Sequence, residues 1–190
     1  MSHPSRIAPT ALLHLALLAL LPLGCARRAP GRPAATETAR CGGSLPDPLR
    51  PPPGHRLALE LAATGVQIYA CKAAPDGGAA WAFTAPEATL RDLGGAPAGR
   101  HYAGPTWEAP DGSAVVGSKV AGTSPDAAAI PWLLLSAKER RGTGQLAGVT
   151  YVQRIATSGG LAPTDGCTAA TAGAEARVPY AATSCFVVAE

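Results

Sequence analysis

The stretch that decides the fold is HYAGPTWEAPDGS, residues 101–113 of the 190-residue chain. Its centre is Ala109-Pro110-Asp111-Gly112, where proline sets the first φ of a turn and glycine accepts a positive φ. Segments of strand-like composition, residues 106–108 and 113–120, lie on either side. The stretch therefore predicts a β-hairpin.

Further segments of this kind recur outward from the hairpin, separated by glycines and prolines. Period-two alternation or β-branched and aromatic residues mark them as strands. They cover residues 56–61, 66–72, 80–84, 89–93, 132–136, 149–155 and 186–188, and only residues 165–176 have a helix-friendly composition. We expect an all-β fold: a single antiparallel β-sandwich or barrel-like domain over residues 41–190, with at most one short helix near the C-terminal part.

Residues 1–25 have the features of a lipoprotein-type signal peptide. Arg6 precedes a mostly apolar run over residues 11–23, shorter than the ~20 residues of a membrane-spanning helix. The run ends LPLGC at residues 21–25, which is similar to a lipobox with Pro22 where that pattern has leucine. We expect export to the periplasm, outer membrane or cell surface, with a lipid on Cys25 as membrane anchor; cleavage after Ala26 without lipidation stays open.

Charge separates the leader from the domain. Residues 26–40 are rich in Arg, Pro and Ala without apolar periodicity, which predicts a disordered tether. Residues 1–40 hold five Arg and one Glu, whereas residues 41–190 hold eleven Lys and Arg against twelve Asp and Glu. Because the domain has no basic excess, we expect no nucleic-acid partner.

Four cysteines remain once the leader is processed: Cys41, Cys71, Cys167 and Cys185. In an oxidising compartment an even number favours two disulfides, for which three pairings exist, with free thiols as the alternative. We favour Cys71 with Cys167 and Cys41 with Cys185, the second of which would tie the two ends of the domain together.

The hairpin stretch also holds the candidate site residues. His101 could act as a general base beside Glu108 or Asp111, or these side chains could bond the backbone of a turn. Tyr102, Trp107 and Glu108 could form a ligand-binding surface of aromatic rings and a carboxylate, or the aromatics could pack in the core.

Other chemistries lack their residues. The chain has no Gly-x-Ser-x-Gly, its cysteines are far apart, and only His55 and His101 follow the leader, so neither a nucleophile elbow nor a metal site is expected. A carboxylate pair of Glu87 and Glu108 for glycoside hydrolysis is a minor alternative. No cofactor is predicted.

Several blocks resemble the bacterial members of an uncharacterised family, the domain of unknown function 3455. They are GVQIY at 65–69, HYAGPTWE at 101–108, DGS at 111–113, IPWLLL at 130–135 and GC at 166–167, within a similarity that covers nearly all of residues 51–180. The family pattern includes Cys71 and Cys167, which implies that these two pair, whereas Cys41 and Cys185 lie outside it. The resemblance implies no established activity.

Some relatives of this kind carry a malate dehydrogenase name, which the residues of this chain do not support. The nearest glycine cluster, Gly142-Thr143-Gly144 with Gly148, has the wrong spacing for dinucleotide binding and opens no βαβ unit. We therefore expect no nicotinamide partner.

The functional prediction is a non-catalytic binding module of the cell envelope, secreted or lipid-anchored. Residues 101–113 would recognise an envelope ligand: a glycan, a peptide or a partner protein. The alternatives are a hydrolase that uses His101 and Glu108, and a purely structural envelope protein.

Overall fold

Eight antiparallel strands form one closed sheet in a computed structural model that describes residues 40–74 and 77–190. The strands are β1 His55–Ala73, β2 Ala79–Arg91, β3 Pro97–Tyr102, β4 Thr106–Glu108, β5 Ala114–Thr123, β6 Trp132–Arg141, β7 Val149–Gly159 and β8 Glu175–Ala189. Each strand pairs with the next one along the chain, and β8 pairs with β1 to close the barrel. The predicted all-β, barrel-like fold is confirmed.

The strands are longer than the sequence pattern indicated. Segments 56–61 and 66–72 are one strand, because residues 62–65 pair with both β2 and β8 and so continue the ladder. Segments 80–84 and 89–93 likewise join in β2, and strand β3 was not predicted at all. Tertiary pairing on both sides thus overrides small residues that looked like breaks in the sequence.

The helix-friendly segment 165–176 holds only a 3-10 helix, Ala169–Thr171. Thr168 and Thr171 form a capping box at its start. Its last residues instead begin β8, where Glu175 pairs with Ala70 of β1. A second 3-10 helix, Asp47–Leu49, was not predicted.

The main core lies inside the barrel, where alternate residues of each strand point. Its largest members include Leu61, Leu90, Trp107, Val152 and Phe186, each almost fully buried. These side chains come from β1, β2, β4, β7 and β8. The part of the barrel interior that these side chains occupy is therefore packed rather than open.

A second apolar cluster covers the outer face of the barrel. Leu45 and Leu49, from the segment before β1, pack with Leu134 of β6 and Ile155 of β7 around the buried Cys185 of β8. The Leu49 carbonyl also accepts a 2.7 Å hydrogen bond from Gln153 Nε2. The segment that includes the 3-10 helix Asp47–Leu49 therefore shields this side of the sheet from solvent.

Two disulfides join distant parts of the chain. Cys41 is bonded to Cys185 across 144 residues of sequence, and Cys71 to Cys167 across 96. Both predicted pairings are confirmed. The first fastens the outer segment to β8, and the second holds the chain before β8 against β1.

The predictions about the signal peptide, the lipid on Cys25 and nearly all of the tether fall on residues 1–39, outside the described residues. Within residues 40–74 and 77–190, no helix is long and apolar enough to cross a membrane.

Candidate functional site

The turn at residues 109–112 forms as predicted. The Gly112 amide donates to the Ala109 carbonyl at 3.0 Å, the Ala109 amide donates to the Ser113 carbonyl at 2.9 Å, and Gly112 has a φ of +80°. A residue with a side chain would be strained there. The hairpin of β4 and β5 follows directly, with Glu108 opposite Ala114.

Asp111 fastens this turn to a neighbouring loop. Its Oδ1 accepts hydrogen bonds from the Ser113 amide at 2.8 Å and the Ser113 hydroxyl at 2.6 Å, and its Oδ2 accepts one from the Gln145 amide at 2.7 Å. These hydrogen bonds hold the pKa of Asp111 below its usual value, and the bond from the Ser113 hydroxyl has the largest effect. Both carboxylate oxygens of Asp111 therefore stabilise the turn and the neighbouring loop, and neither bonds to His101.

Strand alternation divides the other candidates between two faces. His101 is the register partner of Trp107, and Arg100 is the partner of Glu108. Because successive residues of a strand point to opposite sides, His101 and Trp107 face the barrel interior, and Tyr102 and Glu108 face outward. The structure does not bring His101 and Glu108 together.

Glu108 forms a saturated network on the outer face. Its Oε2 accepts a 2.6 Å hydrogen bond from the Tyr102 hydroxyl, and its Oε1 accepts one of 2.7 Å from Arg100. The Arg100 guanidinium also lies 5.2 Å from the centre of the Tyr102 ring. These two hydrogen bonds lower the pKa of Glu108, so the carboxylate is ionised and already has its partners. Glu87 is also exposed, in a 2.7 Å ion pair with Arg177.

His101 is the centre of the inner face. It is 2% exposed, and its ring stacks on Trp107 with centroids 4.2 Å apart and planes 18° from parallel. Its Nδ1 donates a 2.8 Å hydrogen bond to the Thr106 carbonyl. A carbonyl only accepts, so Nδ1 carries the proton and Nε2 is left as an acceptor.

The electrostatic environment keeps His101 neutral. Burial lowers its pKa to about 4, against an opposing effect of the Thr106 hydrogen bond, and the positive charge of Arg154 lowers it further. At neutral pH the ring therefore has no charge. It is a poor general base near pH 7 because its pKa lies about three units below.

Trp107 is fixed from several sides. Its Nε1 donates to the Ser184 hydroxyl at 3.1 Å, and its ring meets Phe186 edge-on at 6.3 Å. Gly117 of β5 leaves room for it, since a Cβ there would lie 3.1 Å from the Trp107 ring. With 1% of its surface exposed, Trp107 belongs to the core as well as to the site.

A cavity of about 190 Å³ lies beside the His101 and Trp107 rings. Its walls are mainly apolar, and two cationic side chains reach it. It is lined by Phe83, Pro86, His101, Pro105, Trp107, Lys119, Leu133, Leu135 and Arg154. Phe83 is 53% exposed and Lys119 is also exposed, so these two lie where the cavity meets solvent.

Arg154 is the polar residue that sequence reasoning missed. Its Nη2 donates a 2.8 Å hydrogen bond to the Pro131 carbonyl, and its Nε is buried without a partner. No acidic residue in the described part of the chain forms an ion pair with it. Burial lowers its pKa, but a guanidinium stays protonated at neutral pH.

Two further buried polar groups lie close enough to interact with this region. The Tyr180 hydroxyl and Gln67 Nε2 are near one another without meeting the geometry of a hydrogen bond. Burial raises the pKa of Tyr180 to about 12, against the opposing charge of Arg154. Tyr180 and Gln67 therefore add polar groups to the interior near Arg154.

A signal for Arg154 was present in the sequence. In the segment VTYVQRI, residues 149–155, an arginine stands two positions from Val152 and so shares the face of a buried valine. The signal was ambiguous because Ile155, on the opposite face, is equally buried. The outer segment with Leu45 and Leu49 makes both faces of β7 apolar.

The described residues contain no cluster of three or more His, Cys, Asp or Glu that could hold a metal ion. A family model described as a protein of unknown function (DUF3455) matches residues 52–187. Neither the curated proteins nor the solved structures include a match to the chain.

Proposed function

The chain belongs to the DUF3455 family of proteins of unknown function, and we propose that it is a non-catalytic module that binds a small molecule inside the mouth of its barrel. The observation that carries the proposal is the cavity beside His101 and Trp107. Sites for small molecules are concave, mostly apolar and marked by a few convergent polar groups. This cavity, with apolar walls and two cations, fits that description.

The volume limits the size of the ligand. A cavity of about 190 Å³ compares with the ~150 Å³ that admits benzene and lies below the ~300 Å³ at which drug-sized pockets begin. An oligosaccharide or a peptide would exceed it. Trp107 is too buried to offer a glycan a stacking platform, so a ligand with a single ring or a comparable branched group suits the cavity better.

The same geometry favours binding over hydrolysis. No carboxylate lines the cavity among the described residues, Glu108 is on the other face with its partners in place, and His101 is neutral and hydrogen-bonded. An acid–base pair would need two such groups within hydrogen-bond reach of one substrate. The hydrolase alternative therefore has less support than a binding site.

Export is part of the proposal. Two disulfides are typical of a protein that matures in an oxidising compartment, and a lipid on Cys25 would attach the domain to a membrane. The intact mass of the protein from its native membrane fraction tests this, because acylation adds the mass of the lipid. An unmodified mature chain beginning at Ala26 or later would contradict the anchor.

Binding is tested with toluene, a neutral probe of one ring, by nuclear magnetic resonance of the exported protein. We expect the indole N–H of Trp107 to shift in a saturable manner, because the indole borders the cavity. Leu133→Phe, which fills the cavity, should abolish the shift. The matched control Leu93→Phe, on an exposed leucine away from the cavity, should leave it unchanged.

Two results would contradict the proposal. One is a spectrum in which neither toluene nor a charged relative such as benzoate perturbs any cavity residue. The other is a shift that survives in Leu133→Phe, which would place the probe elsewhere.

A further inference from the structure

We propose that the ligand is an anion, a small aromatic or branched aliphatic monocarboxylate whose carboxylate binds the Arg154 guanidinium; this rests on the proposed function. The cavity would hold the apolar part against Trp107, Leu133 and Leu135. The carboxylate would take the guanidinium N–H groups that the protein leaves without an acceptor.

The hydrogen bonding of Arg154 is the first support. A guanidinium carries five N–H donors in a planar fork, and the described residues engage only Nη2, through the Pro131 carbonyl. Nε is out of contact with solvent and has no partner. A carboxylate matches the fork geometry with two parallel hydrogen bonds and is its usual complement.

The distribution of charge is the second support. Of the eight other arginines among the described residues, Arg40, Arg56, Arg91 and Arg140 are exposed to water, and Arg50, Arg100, Arg141 and Arg177 lie in ion pairs on the surface. Arg154 lies partly buried in the cavity wall and has none. A charge withdrawn from water without a partner destabilises the protein. A ligand carboxylate that pairs with the guanidinium would remove this cost, and the relief would contribute to the binding free energy.

Lys119 is the other cation at the cavity, and it is the weaker candidate. Its side chain is exposed, so water solvates its ammonium group and no counter-ion is needed. We assign it to the mouth of the cavity, where it would attract anions during approach without fixing the carboxylate. Arg154, deeper in the cavity and less solvated, would hold the carboxylate.

The test compares benzoate, benzamide and toluene on the full exported protein, measured by calorimetry and by the Trp107 indole resonance. Benzoate and benzamide have nearly the same shape and differ in charge. We expect benzoate to bind about tenfold or more tightly than benzamide, because a hydrogen bond between two charged groups is stronger than one from a charged group to a neutral amide.

Substitutions locate the charge that matters. Arg154→Met should bind benzoate no better than benzamide while still binding toluene, and Lys119→Met should keep most of the preference. Arg91→Met removes the same charge from the exposed C-terminal end of β2 and should behave as the parent protein. If Arg154→Met does not fold, Arg154→Gln keeps a polar side chain and should lose the preference in the same way.

A readout without ligand separates a binding role from a structural one. An arginine kept for binding destabilises the apo protein, so Arg154→Met should melt at the same or a higher temperature than the parent. A large fall in melting temperature in both Arg154→Met and Arg154→Gln would identify Arg154 as structural and overturn the inference.

The remaining outcomes separate the two proposals. If benzamide and toluene bind as tightly as benzoate, the small-molecule site stands and its anionic character is wrong. If Arg154→Met still binds benzoate more tightly than benzamide by the same factor as the parent protein, another cation is responsible and the inference fails. If none of the three probes reaches the cavity, the proposed function itself fails.

Discussion

His101 and Glu108 show how the fate of a side chain depends on the face it occupies. Seven positions apart on neighbouring strands, one lies inside the barrel and the other outside. Burial leaves His101 neutral with its pKa at about 4, whereas hydrogen bonds from Tyr102 and Arg100 keep Glu108 ionised. Two residues that resemble an acid–base pair in sequence therefore have separate roles. His101 is a neutral ring in the barrel interior, and Glu108 joins Arg100 and Tyr102 on the outer face.

The buried histidine makes stability depend on pH. Its pKa is about 4 in the folded state and 6.5 without burial, so between these values the unfolded chain binds a proton that the folded one does not. The contribution of His101 to the free energy of unfolding should therefore be constant above pH 7, and the free energy should fall by about 3 kcal/mol as the pH decreases from 6.5 to 4.

Denaturant titrations across this range measure the effect. His101→Phe keeps an aromatic ring against Trp107 and should flatten the slope between pH 6.5 and 5, before the carboxylates of Glu108 and Asp111, whose pKa values are lowered, begin to contribute. A parent protein equally stable at pH 7 and pH 5 would show that the ring is not buried as described.

Glu108→Gln tests the assignment of that side chain to the surface. The network lies on the outer face, with Arg100 exposed and Glu108 and Tyr102 half-buried, and ion pairs near the surface contribute little to stability. We expect a small change in melting temperature and unaltered toluene binding. A loss of toluene binding in Glu108→Gln would contradict the assignment of Glu108 to the outer face. By contrast, Trp107→Ala removes a buried ring and should lower the free energy of unfolding by about 3–5 kcal/mol.

At the level of elements, the outer segment before β1 completes the fold. It contains the 3-10 helix Asp47–Leu49, covers the outer face of β6 to β8 with Leu45 and Leu49, and is tied to β8 by the bond between Cys41 and Cys185. Without it Ile155 and Leu134 would face water. Because this face is covered, β7 has buried apolar residues on both sides. Its sequence pattern therefore did not show which face, and hence which side of the sheet, Arg154 occupies.

Removing that bond should loosen the segment. Cys41→Ser together with Cys185→Ala is expected to lower the free energy of unfolding by about 2–5 kcal/mol, because a long loop in the unfolded chain is no longer closed. The Leu49 amide, bonded to the Pro46 carbonyl at 2.9 Å, should exchange hydrogen faster, whereas amides of β4 should be less affected. Equal stability and equal exchange in the double variant would show that packing alone holds the segment.

For the whole molecule, the closed sheet sets the size of the site. Side chains from β2 to β7 converge on one cavity, and Trp107, Leu135 and the core below close it. The pairing of β8 with β1 closes the sheet, whereas residues 79–87 of β2 and 118–123 of β5 are paired on one side only and border the cavity. The site is therefore preformed, and a ligand should stabilise the fold without reshaping it.

A preformed site predicts a thermal response. At a benzoate concentration of one hundred times Kd, binding should add about 2.7 kcal/mol to the free energy of unfolding and raise the melting temperature accordingly. Calorimetric scans at increasing benzoate measure it, with Leu133→Phe as the control that should not respond. A melting temperature that is independent of benzoate in the parent protein would be inconsistent with binding to the folded state.

Local patterns were sufficient for the parts of the fold that depend on neighbours in sequence. Pro110 and Gly112 set the turn, alternation marked most strands, and the four cysteines of the domain pair as predicted. The continuity of β1 was missed because residues 62–65 are small, and their strand conformation comes from partners more than twenty residues away in β2 and β8. Strand β3 was missed for a different reason: its partners in β2 and β4 are near in sequence, but a segment with Pro97 and Gly99 has no strand pattern of its own, and only its ladders define it.

The sequence alone was enough for the all-β class and the hairpin at residues 101–113, because turn geometry and side-chain period act locally. The number of cysteines indicated two disulfides but left three pairings, of which the structure shows the favoured one, Cys41 with Cys185 and Cys71 with Cys167. Only the tertiary structure decided which face each side chain occupies. Closure of the sheet buried His101, turned Glu108 outward and placed Arg154 from β7 beside Trp107 from β4. The site is thus a product of long-range pairing, in which residues that are distant in sequence share one interior.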